Sequence, residues 1–141
     1  MKAILVPVDG SDCSTRAMKF AIEVAKGHDD IVLHLLTVQA PIISGNVKRF
    51  ISTEAIHSYY QEEGKKALIP AKSLLDEAGI TCEGIIEVGP AARTIAEFVK
   101  KNHCDLVVMG TRGLGAVANL VLGSITTKVL HLVEVPVTLV K

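Results

Sequence analysis

The chain has 141 residues, 49% hydrophobic and 21% charged, and its 15 basic and 15 acidic side chains cancel. That length builds one domain with a real core, here expected over 1–141, and the composition belongs to a globular chain rather than a disordered one. Zero net charge leaves no basic field to attract nucleic acid or an anionic membrane.

No apolar run reaches the roughly 18 residues needed to span a bilayer. The opening MKAILVPVDGSDC lacks a cleavable signal pattern, because its apolar run stops at Asp9, so the expected compartment is the cytoplasm. Cys13, Cys82 and Cys104 are odd in number and far apart, which favours free thiols over disulfide or zinc chemistry.

Taken in order, AILVPV (3–8) is apolar nearly throughout, as in a strand covered on both faces. Ser11 can cap a helix from Asp12 that places Ala17, Phe20, Ala21, Val24 and Ala25 on one side. IVLHLLTV (31–38) is a second strand, and its His34 is expected on a sheet face with a hydrogen-bond partner. Residues 40–52 are longer than a usual strand-to-helix joint, which fits a functional loop or an idle surface one. A long helical pattern over 53–78 ends at Gly79, and Pro70 inside it should kink or split it. ITCEGIIEV (80–88) is the third strand, and Pro90 takes the first position of the next helix, with Ala92, Ile95, Ala96 and Val99 on one face. DLVVMG (105–110) is the fourth strand. A last helix from near Ser124 carries Ile125, Val129, Leu132 and Val133, and VPVTLV (135–140) is the fifth strand. Strand-helix alternation with short joints predicts a single-domain α/β fold built on a parallel, doubly wound sheet.

In such sheets a ligand lies beyond the carboxyl ends of the strands, where their order reverses. Asp9, at the first such end, suits a ribose hydroxyl, a metal ion or support of the turn into the first helix. Gly110 closes the fourth strand and opens GTRGLGAVANLVLGSIT, which holds four glycines. Gly110 and Gly113 bare backbone N–H groups to an anion, and Arg112 adds a positive charge. Gly123 and Ser124 open the last helix, whose free N–H groups suit phosphate, with hydroxyls from Ser124 and Thr126. A plain flexible loop with Ser124 as a cap is the competing reading. The first turn reads DGSDCS, so GxGxxG is missing there, and GxxxxGK[ST] is missing altogether. A phospho-acceptor receiver domain would need a carboxylate at the third strand end, where Val88-Gly89 stands. His103 and Cys104 are neighbours without a third group, a poor basis for a nucleophile.

The spacing GTRG, nine residues, GS (Gly110, Gly113, Gly123, Ser124) resembles the nucleotide loop of ATP-binding universal stress proteins. AILVPVDGS and VGPAARTIAEFVKKNHCDLVVMG look like further parts of that family, so the resemblance covers the whole chain. It implies a Rossmann-like, adenine nucleotide alpha hydrolase-like fold: five parallel strands ordered 3-2-1-4-5, with helices on both faces. It also implies that Pro7, Val8 and Asp9 flank the nucleoside, with Asp9 on the ribose or near a metal. Val38 would meet adenine through its backbone, and Met109 would border the same pocket. Gly110, Arg112, Gly113, Gly123, Ser124, Ile125 and Thr126 would line the phosphates. The implied function is ATP-dependent regulation in a stress response, with at most slow hydrolysis and with Mg or Mn accompanying the nucleotide. An adenine-nucleotide-using enzyme, an ATPase or nucleotidyl transferase, is the alternative on the same fold. The implied assembly is a homodimer through the fifth strand, 135–140, with no nucleic-acid or membrane partner.

Overall fold

The computed structural model describes residues 2–42, 51–114 and 121–141. The strands are β1 (Ala3–Pro7), β2 (Val32–Gln39), β3 (Gly84–Val88), β4 (Leu106–Gly110) and β5 (Val137–Val140). Four helices lie among the described residues: α1 (Asp12–Ala25), α2 (Thr53–Glu77), α3 (Ala91–Lys101) and α4 (Ser124–Leu132). All strand pairs are parallel, in the order β3-β2-β1-β4-β5, as expected.

Period-two alternation splits the core between the two faces of the sheet. Ile4, Val6, Leu33 and Leu35 face α1 and α2, packing on Met18, Ile22, Leu68 and Leu75. Leu5, Leu36, Val107 and Met109 face α3 and α4, packing on Ile95, Phe98, Val99 and Val129. Ile4, Leu5 and Val6 are all fully buried, which is why β1 reads as one unbroken apolar run.

Several expectations shift in detail. The buried stripe of α1 is Ser14, Ala17, Met18, Ala21 and Ile22, and Phe20 turns outward at 42% exposure. Successive residues step about 100° around a helix, so Phe20 lies well off a stripe centred on Ala17 and Ala21. α2 continues through Pro70 without splitting. The carbonyl that loses its donor belongs to exposed Lys66, where water can replace the missing bond. β3 begins at Gly84, not at residue 80. The apolar residues before it, Ile80 and Cys82, pack on the core from a loop, and the Cys82 thiol donates to the Leu33 carbonyl at 3.2 Å. Pro90 is the N-cap of α3, one residue before its first turn. In α4 the buried residues are Thr126 and Val129, and Ile125 and Leu132 are exposed. His34 meets the Phe98 ring edge-on at 5.6 Å, and no hydrogen bond to its ring is found among the described residues. Of the unassigned stretch 40–52, residues 43–50 lie outside the described residues.

Candidate functional site

The strand order reverses between β1 and β4, so their carboxyl ends stand side by side with a crevice above them. A cleft of about 280 Å³ occupies that place. One wall is apolar: Pro7 and Val8 from β1 and its end, Val38 from β2, Met109 from β4, and Ala91 and Ile95 from α3. The other wall is the loop after β4 and the start of α4: Gly110, Arg112, Gly113, Leu114, Gly123, Ser124, Ile125 and Thr126. Asp9 and Ser14 lie between them. All twelve residues singled out from the sequence line this one cleft. Sequence reasoning missed Ser14, Ala91, Ile95 and Leu114. Ala91 and Ile95 were readable as the start of a helix after β3, but nothing in their spacing said that this end overhangs the β1 end. A second cleft, about 360 Å³, is lined by Cys104 and Val135, which precede β4 and β5, so it opens at the opposite, amino ends of the strands.

Two glycines of the loop have internal reasons to lack side chains. A Cβ on Gly110 would come within 2.9 Å of the Cys13 sulfur and 3.0 Å of its backbone carbon, and one on Gly113 would fall on Asp9 Oδ2. A Cβ on Gly123 would meet the Arg112 Cα at 3.4 Å, an ordinary contact. The loop is therefore bare at Gly110 and Gly113 because it presses on α1 and on the β1 end. Three bonds shape its base. Thr111 N–H donates to the Val140 carbonyl at 2.9 Å, and Gly123 N–H donates to the Thr111 carbonyl at 2.8 Å. The Thr126 hydroxyl donates to the Gly110 carbonyl at 3.0 Å. Thr126 is buried and lines the cleft, and its hydroxyl hydrogen is committed to the Gly110 carbonyl. Residues 115–120, Gly115 included, lie outside the described residues.

Helix starts differ across the molecule. Ser11 caps α1 by accepting from Ser14 N–H, and Ser52 caps α2 by accepting from Ala55 N–H. α4 starts at Gly123 with no side-chain cap. Its first turn, Ser124 to Thr126, lines the cleft, and an uncapped first turn presents N–H groups and partial positive charge to whatever lies there.

Asp9 is the polar hub. Its Oδ1 accepts from Ser11 N–H at 2.9 Å, a local turn that Gly10 completes at φ +85°. Its Oδ2 accepts from Leu114 N–H at 2.9 Å, across the crevice. Burial pushes the Asp9 carboxyl up, but hydrogen bonds from Ser11, Leu114 and Ser14 outweigh it and hold the pKa below the usual 3.8. Cys13 stands just behind. Burial pushes its thiol up, and the Arg112 and Thr111 backbone, the Thr111 hydroxyl and the Arg16 charge pull it down below its usual value. For a divalent cation the donor set is thin, since no group of three His, Cys, Asp or Glu side chains gathers among the described residues. Asp9 fits only as one carboxylate beside phosphate oxygens, the usual surroundings of Mg²⁺ bound with a nucleotide.

A family model described as "Universal stress protein family" matches residues 1–141. The chain belongs to the universal stress protein family. Among its relatives, universal stress protein MJ0531 of Methanocaldococcus jannaschii is 36% identical over 140 residues, covering 99% of this chain and 82% of that protein. Universal stress protein YxiE of Bacillus subtilis is 32% identical, covering 98% of this chain and 97% of its own. Among solved structures, that of protein MJ0577 superposes with a TM-score of 0.84 at 27% identity, over 99% of this chain and 95% of that one. A universal stress protein solved in complex with cAMP superposes with a TM-score of 0.66 at 25% identity, over 99% of this chain and 97% of that one. In this universal stress protein, then, the fold positions a crevice at the β1 and β4 ends between an apolar wall and an uncapped helix start.

Proposed function

We propose that this protein binds an adenine nucleotide, with ATP as the preferred ligand, in the cleft over the β1 and β4 ends, and acts as a nucleotide-dependent regulator in a stress response. The observation that carries the reading is the pairing within one crevice of an apolar wall and the capless N-terminus of α4. The base lies among Val8, Val38, Met109 and Ile95, where its faces lose water and its edge is met by backbone. The phosphates lie along Gly113 and Gly123 to Thr126, with the Ser124 hydroxyl and the Arg112 charge beside them. The relative solved with cAMP supports the ligand class. A divalent cation, Mg or Mn, would enter with the phosphates and supply charge neutralisation there, with Asp9 as its one protein carboxylate.

Regulation is favoured over turnover because hydrolysis needs a positioned water and charge stabilisation beyond a cradle. Asp9 is the acid at this cleft, and both its oxygens already hold backbone N–H groups. We further propose a homodimer formed through the β5 edges, in the cytoplasm. Isothermal titration with ATP, ADP and AMP tests the ligand class. Saturable binding below a millimolar, tightest for ATP, is expected. No heat from any of the three at that concentration removes the proposal. A phosphate-release assay on the pure protein reads turnover separately.

A further inference from the structure

We propose that Ala91, the first residue of α3, is a specificity-determining residue: its side chain ends at Cβ, which leaves open the slot that admits a nucleobase, and so the cleft selects nucleotides over inorganic polyphosphate. This rests on the nucleotide reading above. The apolar wall has two parts. Val8, Val38 and Met109 come from the strand ends, and Ala91 and Ile95 come from α3. Ile95 is 3% exposed and belongs to the same core cluster as Leu36 and Met109, so its place in the wall is fixed. Ala91 lies one turn earlier on the same helix face and is half-buried, which puts it at the rim. The start of α3 is held against the sheet. Gly89 N–H donates to the Gln39 carbonyl at 3.0 Å, one residue beyond Val38. The Thr94 hydroxyl donates to the Pro90 carbonyl at 2.8 Å, and Thr94 Oγ1 stands 2.8 Å from where a Cβ on Gly89 would lie. With the helix start held beside the β2 end, bulk added at Ala91 takes room directly from the slot over Val38. The wall carries no charged or hydroxyl side chain, so shape is what its side chains have to select with. A base uses that shape, and a bare polyphosphate does not.

The decisive variant is Ala91→Leu. Leucine suits a helix, and its added carbons enter the cleft and not the core, so an unchanged urea midpoint is expected. Should the midpoint fall, Ala91→Met, longer and more flexible, carries the same comparison. Calorimetry with ATP, adenosine and tripolyphosphate then separates the two walls. ATP and adenosine are each expected to bind at least about tenfold more weakly, the scale of an apolar misfit in a pocket, with tripolyphosphate within about twofold of wild type. Ala91→Ser, close to alanine in size, should bind ATP as wild type does. Undiminished ATP affinity in Ala91→Leu would overturn the proposal. A parallel loss for tripolyphosphate would overturn it too, since that means a disturbed cleft and not a narrowed slot. A loss in Ala91→Ser as large as that in Ala91→Leu would do the same, because size would not be the cause. If wild type binds neither ATP nor adenosine, the nucleotide reading fails and this inference goes with it. If wild type binds both and Ala91→Leu binds them equally well, the inference alone fails.

Discussion

At the residue scale, the base of the loop depends on a few buried polar contacts whose loss has a calculable sign. The Gly110 carbonyl lies at the last residue of β4, beyond the β1 pairing of Leu5 with Val107, and Thr126 supplies its donor. Thr126→Val keeps the shape and removes the hydroxyl, leaving a carbonyl without that partner, so a loss of about 1–2 kcal/mol is expected by urea denaturation. Thr126→Ser should recover most of it. Asp9 carries a pH signature. Its folded pKa lies below 3.8, so the unfolded state binds the proton more readily and stability rises with pH through that window. The contribution is complete above the unfolded value, near pH 4, and disappears as pH falls through the folded one. The stability gap between wild type and Asp9→Asn should therefore be constant near neutrality and close below about pH 4. A gap that is the same at pH 3 and pH 7 would mean that the Asp9 carboxylate gains nothing from Ser11 and Leu114. The cleft residues were legible because β1 and β4 announce themselves by unbroken apolarity and the glycine spacing fixes the loop between them. The bond from the Thr126 hydroxyl to the Gly110 carbonyl was not legible. A threonine at a helix start reads alike whether it faces ligand or core, and only the position of Gly110 decides.

At the element scale, α2 is where local preference and tertiary fit oppose each other. Gly64 is buried inside this helix, and a Cβ there would lie 2.6 Å from Ile86 Cγ2 and 2.8 Å from two further Ile86 carbons on β3. Helix propensity alone favours Gly64→Ala by about 1 kcal/mol. Forcing α2 off β3 costs about 1–3 kcal/mol, so net destabilisation is expected. The companion Gly64→Ala, Ile86→Ala should restore the propensity gain relative to Ile86→Ala alone. Thermal or chemical denaturation of the four proteins reads the cycle, and a stabilised Gly64→Ala single variant would show that the two elements do not press on each other. The same competition explains what the sequence left unread in the elements. Apolar periodicity found each strand and helix among the described residues, yet it misphased α1, where Phe20 was placed inward and Met18 was passed over. It also stretched β3 back to residue 80, because loop residues that pack on the core look like strand. Ile125 and Leu132, two of the apolar residues that mark α4, stand exposed. Hydrophobicity marks what prefers to be covered, and an exposed Leu on a helix needs no partner within its own chain.

At the scale of the whole molecule, the sheet ends on one side at β5, which pairs only with β4 among the described residues. Thr111 N–H donates to the Val140 carbonyl and Val107 N–H to the Pro136 carbonyl, so the even-numbered residues of β5 turn their backbone groups toward β4. By the period of two, Val137 and Leu139 turn theirs to the free side. An apolar strand with such an edge invites pairing. The same Val140 carbonyl that holds Thr111 also accepts the Cys13 thiol at 3.0 Å, so the base of the glycine loop and the end of β5 share one acceptor. The proposed homodimer can therefore be separated from the fold by where a proline is placed. Leu139→Pro removes an outward N–H and leaves the β4 ladder intact. The expected result is a monomer by light scattering at micromolar concentration, with the circular dichroism spectrum retained. Thr138→Pro removes an N–H that the parallel register with Val108 directs at β4, and it should cost stability whatever the assembly. A wild-type mass of one chain would remove the dimer. A dimer that survives Leu139→Pro would place the interface elsewhere. If the dimer does form through β5, its edge bonds and the nucleotide loop meet at residues 139–141, and saturating ATP should shift the dissociation constant of wild type more than that of Asp9→Asn.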